Sequence, residues 1–222
     1  MNKMLLKVDH LTKNYVRGGV EFAAVDDVSF ELKEGEFVSV VGHSGCGKST
    51  LFSVIAGLVS PTSGSVIFDG VDYLSLPSKS KAEYRNTKMG YILQGQNLLQ
   101  NFNVIENICM PLSLGKHQID QTVVDEVLDT FGLTEMAKEY PVNLSGGEQR
   151  RISIARTLVH SPKLIIADEP TSNLDPANSQ IIIDAFRKFC QKGATVLMSS
   201  HNIALADTAD RQFKMANGKL TV

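Results

Sequence analysis

Gly42-His43-Ser44-Gly45-Cys46-Gly47-Lys48-Ser49 fits G-x-x-x-x-G-K-[ST], a spacing suited to gripping the phosphates of a nucleotide. Glycines let the backbone wrap anionic oxygens, and the N–H groups and dipole of the helix that follows attract negative charge. In such a loop, closed here by Thr50, Lys48 reaches the β- and γ-phosphates and the Ser49 hydroxyl ligates Mg²⁺. Leu164-Ile165-Ile166-Ala167-Asp168-Glu169 is an apolar run ending in two acids. At the C-terminal end of a strand, Asp168 is placed to hold Mg²⁺ through its water shell and Glu169 to polarise an attacking water. A third device, Leu144-Ser145-Gly146-Gly147-Glu148-Gln149, sets free backbone N–H groups before a helical pattern, which suits another phosphate. Two phosphate-binding devices in one short chain point to a nucleotide clamped between two subunits.

These residues need strands and helices to hold them. Short β-branched runs occur at 5–8, 36–41, 64–68, 89–93, 164–168 and 195–200. The runs ending in Val41, Asp168 and Ser200 are nearly all apolar, as strands buried on both faces of a parallel sheet must be. Each is followed by a turn and a helical pattern, which reads as α/β. Between Gln94 and Leu164 helices dominate. Ile119, Val123, Val124, Val127, Leu128 and Phe131 recur at helical spacing, with Asp120, Asp125, Glu126 and Asp129 on the other side. Ile152, Ala155, Leu158 and Val159 continue a stripe after the Ser-Gly-Gly turn, and Pro162 closes that helix. The expected organisation is a single domain over 1–222. Its α/β nucleotide-binding core comprises 1–94 and 161–222, and a helical subdomain at 95–160 is inserted into it.

Composition narrows the function. A formal charge of −2 and scattered Lys and Arg leave no basic stripe, which argues against nucleic acid as a partner. The pair Arg150-Arg151 reads as a solvated helix face. No apolar run approaches the roughly 20 residues that cross a bilayer. The opening residues lack the apolar run of a secretory signal, so a cytosolic location is expected. Cys46, Cys109 and Cys190 are odd in number and have no CxxC spacing, as free thiols would. His10, His43, His117, His160 and His201 form no metal-binding pattern.

Together these motifs resemble the nucleotide-binding subunit of ATP-binding-cassette (ABC) transporters, in that family's order and over nearly the whole chain. The resemblance implies a P-loop NTPase core with an N-terminal antiparallel β portion and an inserted helical subdomain. It implies ATP and Mg²⁺ as ligands. Tyr15 matches the aromatic that stacks on adenine, and Gln94 the Q-loop glutamine that senses Mg²⁺ and links to the membrane partner. His201 matches the switch histidine at the γ-phosphate, which sets it with Glu169 and Lys48 as catalytic. Ser49, Gln94 and Asp168 fall around the metal. Leu144, Ser145, Gly146, Gly147 and Glu148, with Asp175 of the D-loop Ser172-Asn173-Leu174-Asp175, match residues acting in trans on the partner's nucleotide.

Arg85, Gly90 to Gln94, Asn97 to Leu99, Glu106 to Ile108 and Pro111-Leu112 look most like the MacB, LolD and FtsE branch. Leu93 and Gln96 stand where that branch often has phenylalanines, in the segment that should face the membrane. The sequence stops soon after Gly218, so the C-terminal regulatory domain of many importer ATPases is not expected. The implied function is an ATP-hydrolysing motor on the inner face of the cell membrane. It would dimerise with itself or a related ATPase under an integral membrane permease and drive export or extraction. The alternative is an ATP-switched clamp that signals through a membrane partner, as cell-division members do.

Overall fold

The computed structural model describes residues 3–95, 97–115 and 118–221, so Gln96 and His117 lie outside the described residues. In chain order the strands are β1 (Met4–Arg17), β2 (Val20–Lys33), β3 (Phe37–Val41), β4 (Ser63–Phe68), β5 (Val71–Asp72), β6 (Met89–Ile92), β7 (Leu164–Ala167), β8 (Thr195–Ser200), β9 (Arg211–Ala216) and β10 (Lys219–Thr221). The helices are α1 (Lys48–Ile55), α2 (Ser78–Lys88), α3 (Val104–Leu114), α4 (Gln121–Thr130), α5 (Gly146–Leu158), α6 (Pro176–Gln191) and α7 (Ile203–Ala206).

An antiparallel sheet of order β2-β1-β4-β5 packs against a six-stranded sheet of order β10-β9-β3-β8-β7-β6. β1 and β2 form a hairpin turned by Gly18-Gly19, whose φ values of 60° and 79° suit a two-residue mirror-image turn. In the larger sheet β6, β7, β8, β3 and β9 run parallel. Their C-terminal ends therefore emerge along one edge, where an open α/β sheet binds ligands.

The apolar strands are apolar because both faces are covered. On β7, Ile165 and Ala167 face the core formed with α3 to α6, while Leu164 and Ile166 face the core formed with α1 and the antiparallel sheet. The helices between β6 and β7 share one continuous core with the sheet. No helix among the described residues is long and apolar enough to cross a membrane.

Several details differ from the sequence reading. β1 runs far beyond residues 5–8, and β2, β5, β9, β10 and α2 fall outside the runs expected from the sequence. α2 buries none of its residues, so no apolar stripe marks it. Ile119 precedes α4 and is 45% exposed, whereas the rest of that stripe turns inward. α5 ends at Leu158, short of Pro162, and the chain then turns through Ser161 at φ 53°. Arg150 and Arg151 are not a solvated face: they are 3% and 8% exposed. Arg151 Nη1 donates to the carbonyls of Phe131 at 2.6 Å and Gly132 at 3.3 Å. A buried guanidinium is tolerable when carbonyls replace its water.

Candidate active site

β3 delivers the chain into the loop 42–47, and α1 begins at Lys48 with Gly47 as its cap at φ 114°. A side chain at Gly47 would strike the Ala24 carbonyl of β2 and lie 2.7 Å from Met215 Cε. At Gly42 it would strike the Met215 carbonyl and sit 2.7 Å from Cys46 Sγ. The turn between β9 and β10 closes over the same loop: Gly218 N donates to Cys46 O at 3.0 Å, and Asp26 N donates to Gly218 O at 2.9 Å. The loop is thus pinned between β2 and the C-terminal hairpin, and at 42 and 47 only glycine fits.

Lys48 is buried, and its Nζ donates to the carbonyls of Gly42 at 2.7 Å and His43 at 3.1 Å. Among the described residues it makes no ion pair. An ammonium held by two carbonyls and the Cys46 Sγ at 3.8 Å, with no carboxylate paired to it among those residues, fits an incoming phosphate. His43, Ser44, Gly45 and Ser49 are exposed on the rim, while Cys46 is buried beneath it. A cleft of about 590 Å³ opens from this loop to Tyr15, Phe22, Gln94 and Glu169, with Thr50 also on its lining. Tyr15 is 38% exposed, which removes it from the core. It stands across the hairpin from Phe22, ring centroids 6.1 Å apart, and together they offer an apolar wall for a flat base.

At the opposite wall, Ser199 on β8 ties both acids. Its Oγ donates to Asp168 Oδ1 at 2.6 Å and accepts from Glu169 N at 2.9 Å. Glu169 has φ 46°, a left-handed conformation that a non-glycine residue holds only when its neighbours enforce it. Its Oε1 lies 3.0 Å from His201 Nδ1, and Gln94 Nε2 donates to its Oε2 at 3.5 Å. A carboxylate so placed can accept a proton from water in the cleft. The hydroxyl of Ser49, the amide of Gln94 and the carboxylate of Asp168 are oxygen donors of the kind a hard divalent cation takes.

Ser145 caps α5 in a reciprocal arrangement with Glu148. Ser145 Oγ accepts from Glu148 N at 3.3 Å, and Glu148 Oε2 accepts from Ser145 N at 2.8 Å and Oγ at 2.7 Å. The Ser145 bonds hold the Glu148 carboxyl below its ordinary range. Glu148 is therefore spent on the cap, and Leu144 packs on the core. Ser145, Gly146 and Gly147 line a second cleft of about 590 Å³ together with Asn173 and Asp175. Asp175 caps α6, accepting from Asn178 N at 2.8 Å and Nδ2 at 2.6 Å. A side chain at Gly147 would meet the Asn178 amide at 2.5 Å. The two clefts share Gln94 on their linings.

The sequence reading missed Ser199, Phe22, Gly218 and the burial of Arg150. The polar pair Ser199-Ser200 closing the apolar run of β8, directly before His201, was the available signal for Ser199.

A family model described as ABC transporter matches residues 25–172, two thirds of the chain. The chain is 32% identical to the ATP-binding cassette MJ0796 in its dimeric post-hydrolysis state bound to ADP and Pi, with TM-score 0.89 over 98% of this chain and 97% of that one. Another dimeric structure of MJ0796, a bacterial ABC transporter cassette, gives TM-score 0.88 at 32% identity over 98% and 97%. The cbiO1 protein of Clostridium perfringens, part of the ABC transporter complex cbiONQ, gives TM-score 0.86 at 26% identity over 100% and 88%. The cassette fold and the phosphate loop define an α/β P-loop ATPase. The chain belongs to the ABC transporter family, whose ATPases use ATP with Mg²⁺.

Proposed function

We propose that two copies of this chain, or one copy and a related ATPase, close head to tail on ATP and drive a separate integral membrane permease. The observation that carries this reading is the separation of two phosphate-binding devices into two clefts of one chain. A two-fold axis brings the loop of one subunit to Ser145, Gly146 and Gly147 of the other and completes two sites by symmetry. The MJ0796 structures, described as dimeric, support the same arrangement.

In this reading residues 1–94 and 161–222 form the nucleotide-binding core, and 95–160 form a helical subdomain that carries the Ser-Gly-Gly turn. Tyr15 stacks on adenine, while Gly42 to Thr50 hold the phosphates, with Lys48 neutralising them. Bound Mg²⁺, held by Ser49, Gln94 and Asp168, supplies charge stabilisation at the phosphates. Glu169 takes the proton of the attacking water, and His201 keeps its carboxylate aimed at the γ-phosphate. Asp175 reaches across the interface. Leu93 is 51% exposed beside Gln94, as a residue facing a membrane partner would be. The cbiO1 relative is part of a larger transporter complex, which supports a peripheral place on the cytoplasmic face. The cargo is exported or extracted by the permease.

The test is Ser145→Arg. The bulky cation blocks the second cleft while the variant's own phosphate loop is untouched. ATP hydrolysis should fall to background with nucleotide affinity of the isolated chain retained. Mixing it with Lys48→Ala should restore some activity, since random pairing leaves about a quarter of sites intact. A fully active Ser145→Arg protein would refute the shared site.

A further inference from the structure

Arg150 lies in α5, one turn after Ser145, and is almost fully buried without a carboxylate partner in an ion pair among the described residues. Its guanidinium reaches four backbone carbonyls instead. Nη1 donates to Leu93 O at 2.7 Å and to Gly95 O, Nε donates to Pro170 O at 2.9 Å, and Nη2 donates to Glu169 O at 3.5 Å. The first two carbonyls flank Gln94, whose amide meets Glu169 across the cleft. The last two belong to Glu169 and the residue after it. One side chain therefore holds both sides of the hydrolytic centre and belongs to the helix that opens at Ser145.

We propose that Arg150 is a positioning residue, tying α5 to Gln94 and Glu169 so that seating Ser145–Gly147 on one nucleotide aligns the hydrolytic groups for the other. This rests on the shared-site reading above. The geometry gives the physical reason for the link. The fork is planar and rigid, so a shift of α5 is carried to both carbonyl pairs together. Glu169 sits at a strained φ, which persists only while its surroundings over-determine it; Ser199 holds its N–H, and Arg150 and the Ser172 N–H both donate to its carbonyl. Burial pushes the Arg150 guanidinium down to about 10, with Asp168 opposing the shift, so the fork stays charged at neutral pH.

The experiment compares Arg150→Gln, Arg150→Lys, Ser145→Ala and Arg150→Gln/Ser145→Ala in the full chain. Melting temperature, ATP affinity and kcat are measured for each. Arg150→Gln should lose about 10²-fold in kcat, the order that a misplacement of about 1 Å costs, with affinity for ATP unchanged. Arg150→Lys, with a charge but no fork, should fall between. Because Arg150 transmits the seating of Ser145, the double variant should be no slower than the slower single. Wild-type kcat in folded Arg150→Gln would overturn the proposal. So would losses that multiply in the double variant, or a loss of affinity and kcat in step with melting temperature. If Arg150→Gln fails to fold, Arg150→Lys alone and with Ser145→Ala gives the same readings. Failure of the shared site looks different: Ser145→Ala would then keep full turnover whatever Arg150 does.

Discussion

His201 Nδ1 lies 3.0 Å from Oε1 of Glu169, joining the ends of two adjacent parallel strands, β7 and β8. The imidazole fixes one carboxylate oxygen and leaves the other facing Gln94. Glu169→Gln keeps the shape of this side chain but removes its basic oxygen. Turnover should fall by about 10²–10⁴-fold, the usual worth of a general base, while ATP still binds. Steady-state hydrolysis and equilibrium binding on the same preparation check both halves. A wild-type rate would remove Glu169 from the chemistry.

Tyr15 and Phe22 face each other across the first hairpin, with the Lys13 ammonium 5.1 Å from the Tyr15 ring centre. Stacking a base on an exposed aromatic is worth roughly 1–3 kcal/mol, so Tyr15→Ala should weaken ATP by about 5- to 150-fold. Inorganic triphosphate lacks the base, and its binding should be unaffected. Isothermal titration with both ligands separates lost stacking from a damaged phosphate loop.

The glycines of the loop make a graded stability series. Gly45 has φ 78° but open space around it, so Gly45→Ala should cost about 1–2 kcal/mol from backbone conformation alone. Gly47 combines φ 114° with a collision against the Ala24 carbonyl. Gly47→Ala must push β2 away, and it should cost more than Gly45→Ala in urea unfolding and remove ATP binding. Equal costs would mean that β2 does not brace the loop.

Asp69 sits at the β4–β5 turn, mostly buried, and receives Lys88 Nζ and Lys163 Nζ at 3.0 Å each. Burial alone would raise its pKa, but hydrogen bonds from Lys163 and Lys88 outweigh this and hold the carboxyl below its ordinary value. A carboxyl depressed in the folded state contributes stability above its unfolded pKa, and that contribution is lost as pH falls through the folded value. Wild-type protein should therefore lose stability on acidification below about pH 4, where free carboxyls begin to protonate. Asp69→Asn should be less stable at neutral pH and show a shallower loss there. Urea midpoints from pH 7 down to pH 3 test it, and parallel curves would contradict it.

Where the sequence was legible, one physical rule acted alone. The runs ending in Val41, Asp168 and Ser200 are apolar because both faces of β3, β7 and β8 are covered, and the acids and His201 follow directly from their ends. Gly47 was readable because a glycine before Lys48 leaves few alternatives. The misreadings arose where tertiary context decides. Arg150 and Arg151 have the composition of a wet surface, yet carbonyls brought from 93–95, 131–132 and 169–170 solvate them inside the protein. α2 escaped notice because it buries no residue, and Ser199 because its partners arrive from another strand.

The central claim is that ATP joins two chains, with the phosphate loop of one against the Ser145 turn of the other. The most direct measurement is the molar mass of Glu169→Gln by light scattering, at fixed protein concentration, with Mg²⁺-ATP and with Mg²⁺-ADP. Slow hydrolysis keeps the γ-phosphate in place, so the mass should double with ATP and return to that of one chain with ADP. Adding Ser145→Arg to the same protein should abolish the doubling while leaving ATP bound. A protein that binds ATP yet stays monomeric, or one that doubles equally well with Ser145→Arg, would contradict the account.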